Sequence, residues 1–257
     1  MTEQTSRPPA EVAAAWAATG EWSRRVEAEY RSAALTAQLA HWIIQAGLSH
    51  DLVRLALEIT ADELTHAELS AEVVHAAHRV TNSDPVVVSP QIERTSLMYG
   101  REWEPLELDV TAACLETFCL GETVAVPLFR RLREQATIAS ARAALDRILA
   151  DEVKHRDFGW LLFEALLSGQ EGALCRDFAI TMLPSMVARL AASYGSLSDE
   201  LIMSADLRAW GLMPGREYAL ALGDATRREY RPRLKALGFE SQALACLDTL
   251  EALAADP

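Results

Sequence analysis

One five-residue pattern occurs twice in this chain, as Asp62-Glu63-Leu64-Thr65-His66 and as Asp151-Glu152-Val153-Lys154-His155. Each copy sets a Glu and a His three residues apart, which on an α-helix brings both side chains to one face about a turn apart. A carboxylate and an imidazole presented together make half a site for a transition metal. A third match, Glu72 to His75, is set aside. Glu72 lies roughly half a turn out of phase with Glu63, so Glu72 and His75 are expected at the surface or between helices.

Partners for the two half-sites follow from how the chain must fold back. Helices are expected over about Glu21 to Ala46 and Asp51 to Arg79, interrupted at Gly47-Leu48-Ser49-His50. Folding this hairpin about residue 46 sets Glu63 level with Glu29. Val26, Ser32, Ala33 and Thr36 surround Glu29 and leave room inside. The competitor Glu27 is flanked by Arg24 and Arg31 at ion-pairing distance along a helix. A second hairpin, about Glu107 to Glu134 and Ala141 to Leu167, folds about residue 137 and sets Glu152 level with Glu122. Phe118, Cys119, Ala125 and Val126 place Glu122 amid apolar surface, where an ionised carboxylate is costly unless paired or metal-bound. Glu116 has a similar setting and stands as an alternative ligand, an outer acid or a substrate contact.

The proposed ligands are then Glu29, Glu63, His66, Glu122, Glu152 and His155. Four carboxylates and two imidazoles neutralise two divalent ions, and mixed O/N ligation suits iron or manganese. A metal-bound His usually donates its other N–H to a carboxylate. Asp62 is accordingly expected to orient His155, and Asp151 to orient His66.

The elements that must carry these residues are read from composition and punctuation. Half of the 257 residues are hydrophobic, and Gly and Pro are scarce, which points to helices. The periodicity of Val26, Tyr30, Ala33, Ala37, Ala40 and Ile44 predicts a buried stripe, with Tyr30 in the core. Thr81 to Pro105 reads as a long mixed connection with a short extended run at Val86-Val87-Val88. Pro127 predicts a kink in the third helix. Further helices follow, broken at Pro184, Gly195, Gly211 to Gly215 and Gly238. Trp42, Trp160 and Cys119 are read as core packing, and Arg227 to Arg233 as a solvated helix end.

With those residues in view, about Glu21 to Leu167 resembles the ferritin-like diiron-carboxylate superfamily. The resemblance implies an all-α fold with a ferritin-like four-helix bundle and a long crossover (21–170); a flexible start (residues 1–20) and additional C-terminal helices packed on the bundle (171–257) are read from the chain itself, and the tail matches no member of the superfamily. The resemblance also implies a dimetal centre, two iron ions or a manganese–iron pair, that reacts with dioxygen or peroxide. The expected activity is O₂-dependent oxidation of a small organic substrate: hydroxylation, desaturation or N-oxygenation, fed by a separate electron donor. Iron oxidation and storage is a second reading, although the C-terminal residues exceed what a ferritin needs. A rubrerythrin-type peroxide reductase is a third, although Cys114, Cys119, Cys175 and Cys246 form no CxxC pair.

A formal charge of −13 argues against nucleic acid or an anionic membrane as partner. No signal-peptide core and no bilayer-spanning apolar run are recognised. The expectation is a soluble cytoplasmic protein, and the sequence allows a homodimer.

Overall fold

The structure, a computed structural model, describes residues 9–83, 88–195 and 203–255. Every regular element among the described residues is helical. The longest is α1 (Ala10–Gln45). Its buried stripe runs Trp22, Val26, Glu29, Ala33, Thr36, Ala40 and Ile43, in alternating steps of four and three. Two members of that stripe are polar, so a reading by hydrophobicity slides off it by one residue. That is why the expected stripe fails at Tyr30 and Ile44, which are 43% and 59% exposed. Tyr30 is a surface residue. The start of the chain also differs from expectation, because α1 is already formed at Ala10 and buries Ala14, Ala15 and Ala18. Their small side chains let the extra turns pack closely.

Gly47, with φ of 66°, turns the chain into α2 (His50–Thr81). The Ser49 side chain caps the new helix by accepting from the Leu52 amide at 3.4 Å, which satisfies one otherwise orphaned donor. Asn82 closes α2 in the left-handed region. The crossover that follows contains a short 3₁₀ turn, Arg94–Leu97. Of its expected extended run, Val86 and Val87 lie outside the described residues. Gln38 holds the crossover against α1 by a reciprocal pair of bonds to the Tyr99 backbone, 2.6 and 3.1 Å.

The third rod is continuous but irregular: α3 (Leu106–Ala113), a π-helical segment (Cys114–Glu122) and α4 (Thr123–Gln135). Its irregularity centres on the π segment, which ends just over one turn before Pro127. Gly159 of α5 (Ala139–Ser168) meets this segment. A Cβ on Gly159 would stand 2.5 Å from the Phe118 Cβ and 2.9 Å from its carbonyl carbon. The residue is glycine because a neighbouring backbone occupies the space.

Along these rods α1 lies on α2, α2 on α5, and α5 on α4 and the π segment, while α3 touches α1. The rest of the chain packs outside them as α6 (Gly172–Gly195), α7 (Ala205–Ala209), α8 (Gly215–Ala225), a second π segment (Thr226–Tyr230), α9 (Arg231–Ala236) and α10 (Asp248–Ala255). Long-range hydrogen bonds fasten it there. Trp22 donates its indole N–H to the Trp210 carbonyl at 2.9 Å, and the fully buried Tyr230 donates to the Leu120 carbonyl at 2.5 Å. Among the described residues one helix, Leu106–Gln135, is long and apolar enough to cross a membrane by length and composition, contrary to the reading of the sequence. Most of that stretch is buried inside the protein, as a core helix would be.

The apolar interior falls into two clusters. One contains Leu39, Ile43, Leu52, Phe118, Phe158 and Phe163; the other contains Trp22, Val73, Val74, Leu132, Leu145 and Ile148. Along α1, α2 and α5 the two are separated by one polar level, at residues 29, 63–66 and 151–155. The candidate site occupies that waist.

Candidate metal centre

Glu29, Glu63, His66, Glu152 and His155 are all buried, and Glu122 is partly so. They come from four separate rods, each carried inward by the stripe of its own helix. Two groups converge closely enough to hold a metal ion. In one, Glu29, Glu63 and His66 offer ligand atoms within 4.8 Å of one another; in the other, Glu63, Glu122 and His155 do so. Glu63 belongs to both. Its Oε2 lies 3.6 Å from His66 Nδ1, and its Oε1 lies 3.3 Å from His155 Nδ1. Glu152 mirrors it, with Oε1 4.0 Å from His66 Nδ1 and Oε2 3.7 Å from His155 Nδ1. The two imidazole rings are 5.6 Å apart. Glu63 and Glu152 therefore sit between the histidines, with Glu29 and Glu122 to the outside. Helix spacing identifies the six residues but cannot assign this division, because it depends on which rods are neighbours.

Buried polar groups are normally hydrogen-bonded. Among the described residues, Glu63 Oε2, Glu152 Oε2, His66 Nδ1 and both ring nitrogens of His155 have no hydrogen-bond partner. Five unpaired atoms of ligand type in one buried layer cost several kcal/mol together. A bound cation would remove that penalty, and the donor set of carboxylate oxygens and imidazole nitrogens fits it. Buried Glu and His groups of this kind can bind a metal ion.

The surrounding residues fix the histidines from outside. Asp151 Oδ2 lies 3.2 Å from His66 Nε2. An N–H at Nε2 donating to that carboxylate leaves the Nδ1 lone pair facing the carboxylates. Asp62 Oδ2 lies 3.5 Å from His155 Nε2, and no hydrogen bond forms between them. The reason is competition: Asp62 is drawn outward to Arg147 and Lys154, at 3.0 and 2.9 Å. Those two cations also hold Asp151, Lys154 at 2.8 Å and Arg147 in closer contact still. The two aspartates and two cations thus form a closed ring of ion pairs across the α2–α5 seam. Ser32 adds a hydrogen bond to Glu63 Oε1 at 3.0 Å.

Glu116 lies outside the cluster. It is about half exposed and pairs with Arg189 of α6 at 2.7 Å. Its position early in the π segment, with a different rise of angle per residue, turns it away from the face that carries Glu122. Glu72 and His75 are exposed. Trp42 stacks on Tyr99 in the core, and Trp160 is buried with its indole N–H on Thr123 Oγ1 at 3.0 Å. Cys119 is buried with its Sγ 4.0 Å from that of Cys114.

Crowding four carboxylates sets their proton affinities against one another. Burial, and then the neighbouring Glu63 charge, raise the Glu29 carboxyl well above its ordinary value. Burial likewise raises Glu122, partly offset by Glu152; burial and Glu122 raise Glu152 far more. For Glu63 burial pulls the same way, but the flanking His155 and His66 together outweigh it and hold the carboxyl well below its usual range. Burial opposes the charge on His155, yet Glu63 and Glu122 raise it. Asp151 is lowered to about 2, because Lys154, Arg147 and His66 overcome its burial.

Two tyrosines reach this environment from elements that carry no motif. Tyr99, in the crossover, bonds Thr117 Oγ1 at 2.8 Å. Tyr194 comes from α6. Burial raises both hydroxyls above their ordinary value, and Glu122 is among the charges that add to the effect. A tyrosine in an aperiodic connection leaves no sequence signal of this placement. Compared with known proteins, the chain matches no protein-family model, no curated protein and no solved structure.

Proposed function

We propose that the chain is a ferritin-like four-helix bundle whose buried layer binds two metal ions, most suitably iron, and that it oxidises a small organic substrate with dioxygen. The observation that carries the reading is the set of five unpaired ligand-type atoms turned into one buried layer. In this reading Glu29, Glu63 and His66 would hold one ion, Glu122 and His155 with Glu63 the other, Glu152 would contribute from beside both histidines, and a separate donor would supply electrons. When bound, a pair of ferrous ions would supply the electrons that dioxygen chemistry requires.

The chain's own residues have defined tasks. Asp151 holds His66 as the tautomer that presents Nδ1. The ion-pair ring of Asp62, Asp151, Arg147 and Lys154 closes the α2–α5 seam to water. Burial and then the Glu122 charge raise the proton affinity of Glu152, so any proton on it would have to leave before it could hold a cation. The apolar clusters on either side exclude solvent, which strengthens every charge interaction between them.

Metal analysis and the optical spectrum of anaerobically iron-loaded protein exposed to O₂ test the proposal. About two metals per chain are expected, with loss of metal in Glu63→Ala and Glu152→Ala. Fewer than one metal per chain, insensitive to both changes, would sink the dimetal proposal. Assembly into a cage that takes up many irons per chain would favour storage instead. Rapid peroxide turnover with a simple donor would favour peroxide reduction.

A further inference from the structure

Away from the buried layer, four guanidinium groups gather at one recess of an otherwise acidic protein. The cavity holds about 210 Å³ and is lined by Arg130 and Arg131 of α4, Arg156 of α5 and Arg228 of the second π segment. Three carboxylates share the lining, Glu134, Asp224 and Glu229. Two of these are already engaged from both sides. Asp224 accepts from Arg131 at 2.7 Å and from Arg227 at 3.1 Å. Glu229 accepts from Arg233 at 2.8 Å and from Arg156 at 3.4 Å. Arg130 and Arg228 have no such partner: among the described residues neither forms an ion pair. Arg228 acts on Asp224 at longer range, and with four arginines against three carboxylates the lining keeps a net positive charge in a chain of formal charge −13.

Guanidinium groups present paired N–H donors in a rigid fork, which matches the paired oxygens of phosphate and carboxylate. Two forks on one cavity suit a ligand with at least two anionic groups. The volume is below the ~300–1,000 Å³ of pockets for drug-sized molecules, so the occupant is compact. Thr123 and Val126 supply an apolar and hydroxyl-bearing floor. We propose that this recess binds a compact multivalent oxyanion, a molecule carrying linked phosphates or several carboxylates. Thr123 follows Glu122 and Arg156 follows His155, so the ligand would rest against the outside of the two rods that carry half of the metal-binding residues. The inference does not depend on the metal proposal.

Isothermal titration of the protein as purified with sodium pyrophosphate, citrate and acetate, at ionic strength held constant with NaCl, tests it. Saturable binding of one pyrophosphate or one citrate per chain is expected, with none of acetate, and the tighter of the two names the class. R130A/R228A should weaken binding at least about tenfold, as expected for loss of charge-assisted hydrogen bonds. R54A, which removes a surface arginine from α2, should leave it unchanged. Unsaturable heats, equal binding by acetate, or equal binding by R130A/R228A would overturn the proposal. The last result is also what mere extraction of a bound metal would give. R130Q and R228Q taken singly should each weaken binding by about threefold or more, and serve if the double variant fails to fold.

Discussion

Replacing Glu122 by Gln separates a metal ligand from a structural carboxylate, because the two roles predict opposite signs. Glu122 and Glu63 offer ligand atoms within 4.8 Å of each other. Two full charges at that separation repel by about 3.5 kcal/mol at an effective dielectric of ~20. Burial raises the proton affinity of Glu122, so part of that repulsion is already relieved by protonation. Removing the charge should then stabilise the ion-free protein by about 1–2 kcal/mol at pH 7, the share of that repulsion left after partial relief. For a chain of this size that is a rise in Tm of about 2–8 °C. The amide is nearly isosteric and can still accept a hydrogen bond from Glu152, so packing is conserved.

Metal reverses the comparison. At a concentration ~100 times Kd, a ligand that binds only the folded state stabilises it by about 2.7 kcal/mol. Loss of one carboxylate ligand should weaken binding by about tenfold or more, in line with removing a charged partner, and leave about 1.4 kcal/mol or less at the same concentration. Thermal melts in EDTA and in Mn(II), which avoids oxidation during the scan, should show E122Q melting higher without ion and losing about 1.3 kcal/mol or more of that advantage with it. An ion-free E122Q that melts lower than the parent, with its Mn(II) shift intact, would refute the reasoning. Glu122 would then be a satisfied core carboxylate.

Asp151→Asn should cost about 2 kcal/mol at pH 7, read as a lower urea midpoint: the Asp151 pKa falls from the ordinary 3.8 to about 2, and each unit is worth ~1.4 kcal/mol, slightly reduced by the half-exposed Arg147 and Lys154. That contribution is present above pH 3.8 and is lost as pH falls toward 2, so the difference from the parent should vanish there. The ion-free protein should lose stability as pH rises above 4.5. Glu29, Glu122 and Glu152 bind protons more tightly when folded, and that contribution is complete below 4.5 and is lost through their raised values; His155 acts the same way from 6.5 upward. Because coordination requires deprotonated ligands, the Mn(II)-induced rise in Tm should grow between pH 5.5 and 8, and a constant rise would contradict this. Gly159→Ala should destabilise by about 1–3 kcal/mol, the range for overpacking, since the new Cβ meets Phe118 backbone as well as side chain. An unchanged urea midpoint would show that the π segment can retreat.

The helical hairpins and the six residues of the buried layer were legible because each rests on a local rule. An i,i+3 Glu–His pair marks a helix face, and a turn at Gly47 or near residue 137 fixes which partner residues stand level. The fold-back places Glu29 opposite Glu63 whatever the packing of the other rods. The division of the carboxylates was not legible for the complementary reason. Glu63 touches both histidines because α2 lies directly on α5, a tertiary contact for which a single sequence carries no period. Asp62 illustrates the same limit at finer scale. Its place beside His155 follows from the repeat, but whether it bonds that histidine depends on two cations, Arg147 and Lys154, that pull it outward.

The π segment marks where local reasoning stops altogether. A helix of ordinary period from Leu106 to Gln135 puts Glu116 and Glu122 on different faces, and fold-back against Glu152 favours Glu122, but neither rule says what holds Glu116 away. The structure chooses through contacts made from far along the chain. Gly159 lets α5 approach the Phe118 backbone, Cys114 Sγ reaches the Gly159 carbonyl at 3.2 Å, and Tyr230 takes the Leu120 carbonyl. Arg189 draws Glu116 to the surface. All three elements involved, α5, α6 and the second π segment, are later in sequence than the segment they shape, and two belong to the C-terminal part. Those helices therefore do more than cover the rods: by fixing the turn that ends at Glu122, they help decide which acid faces the buried carboxylate–histidine layer.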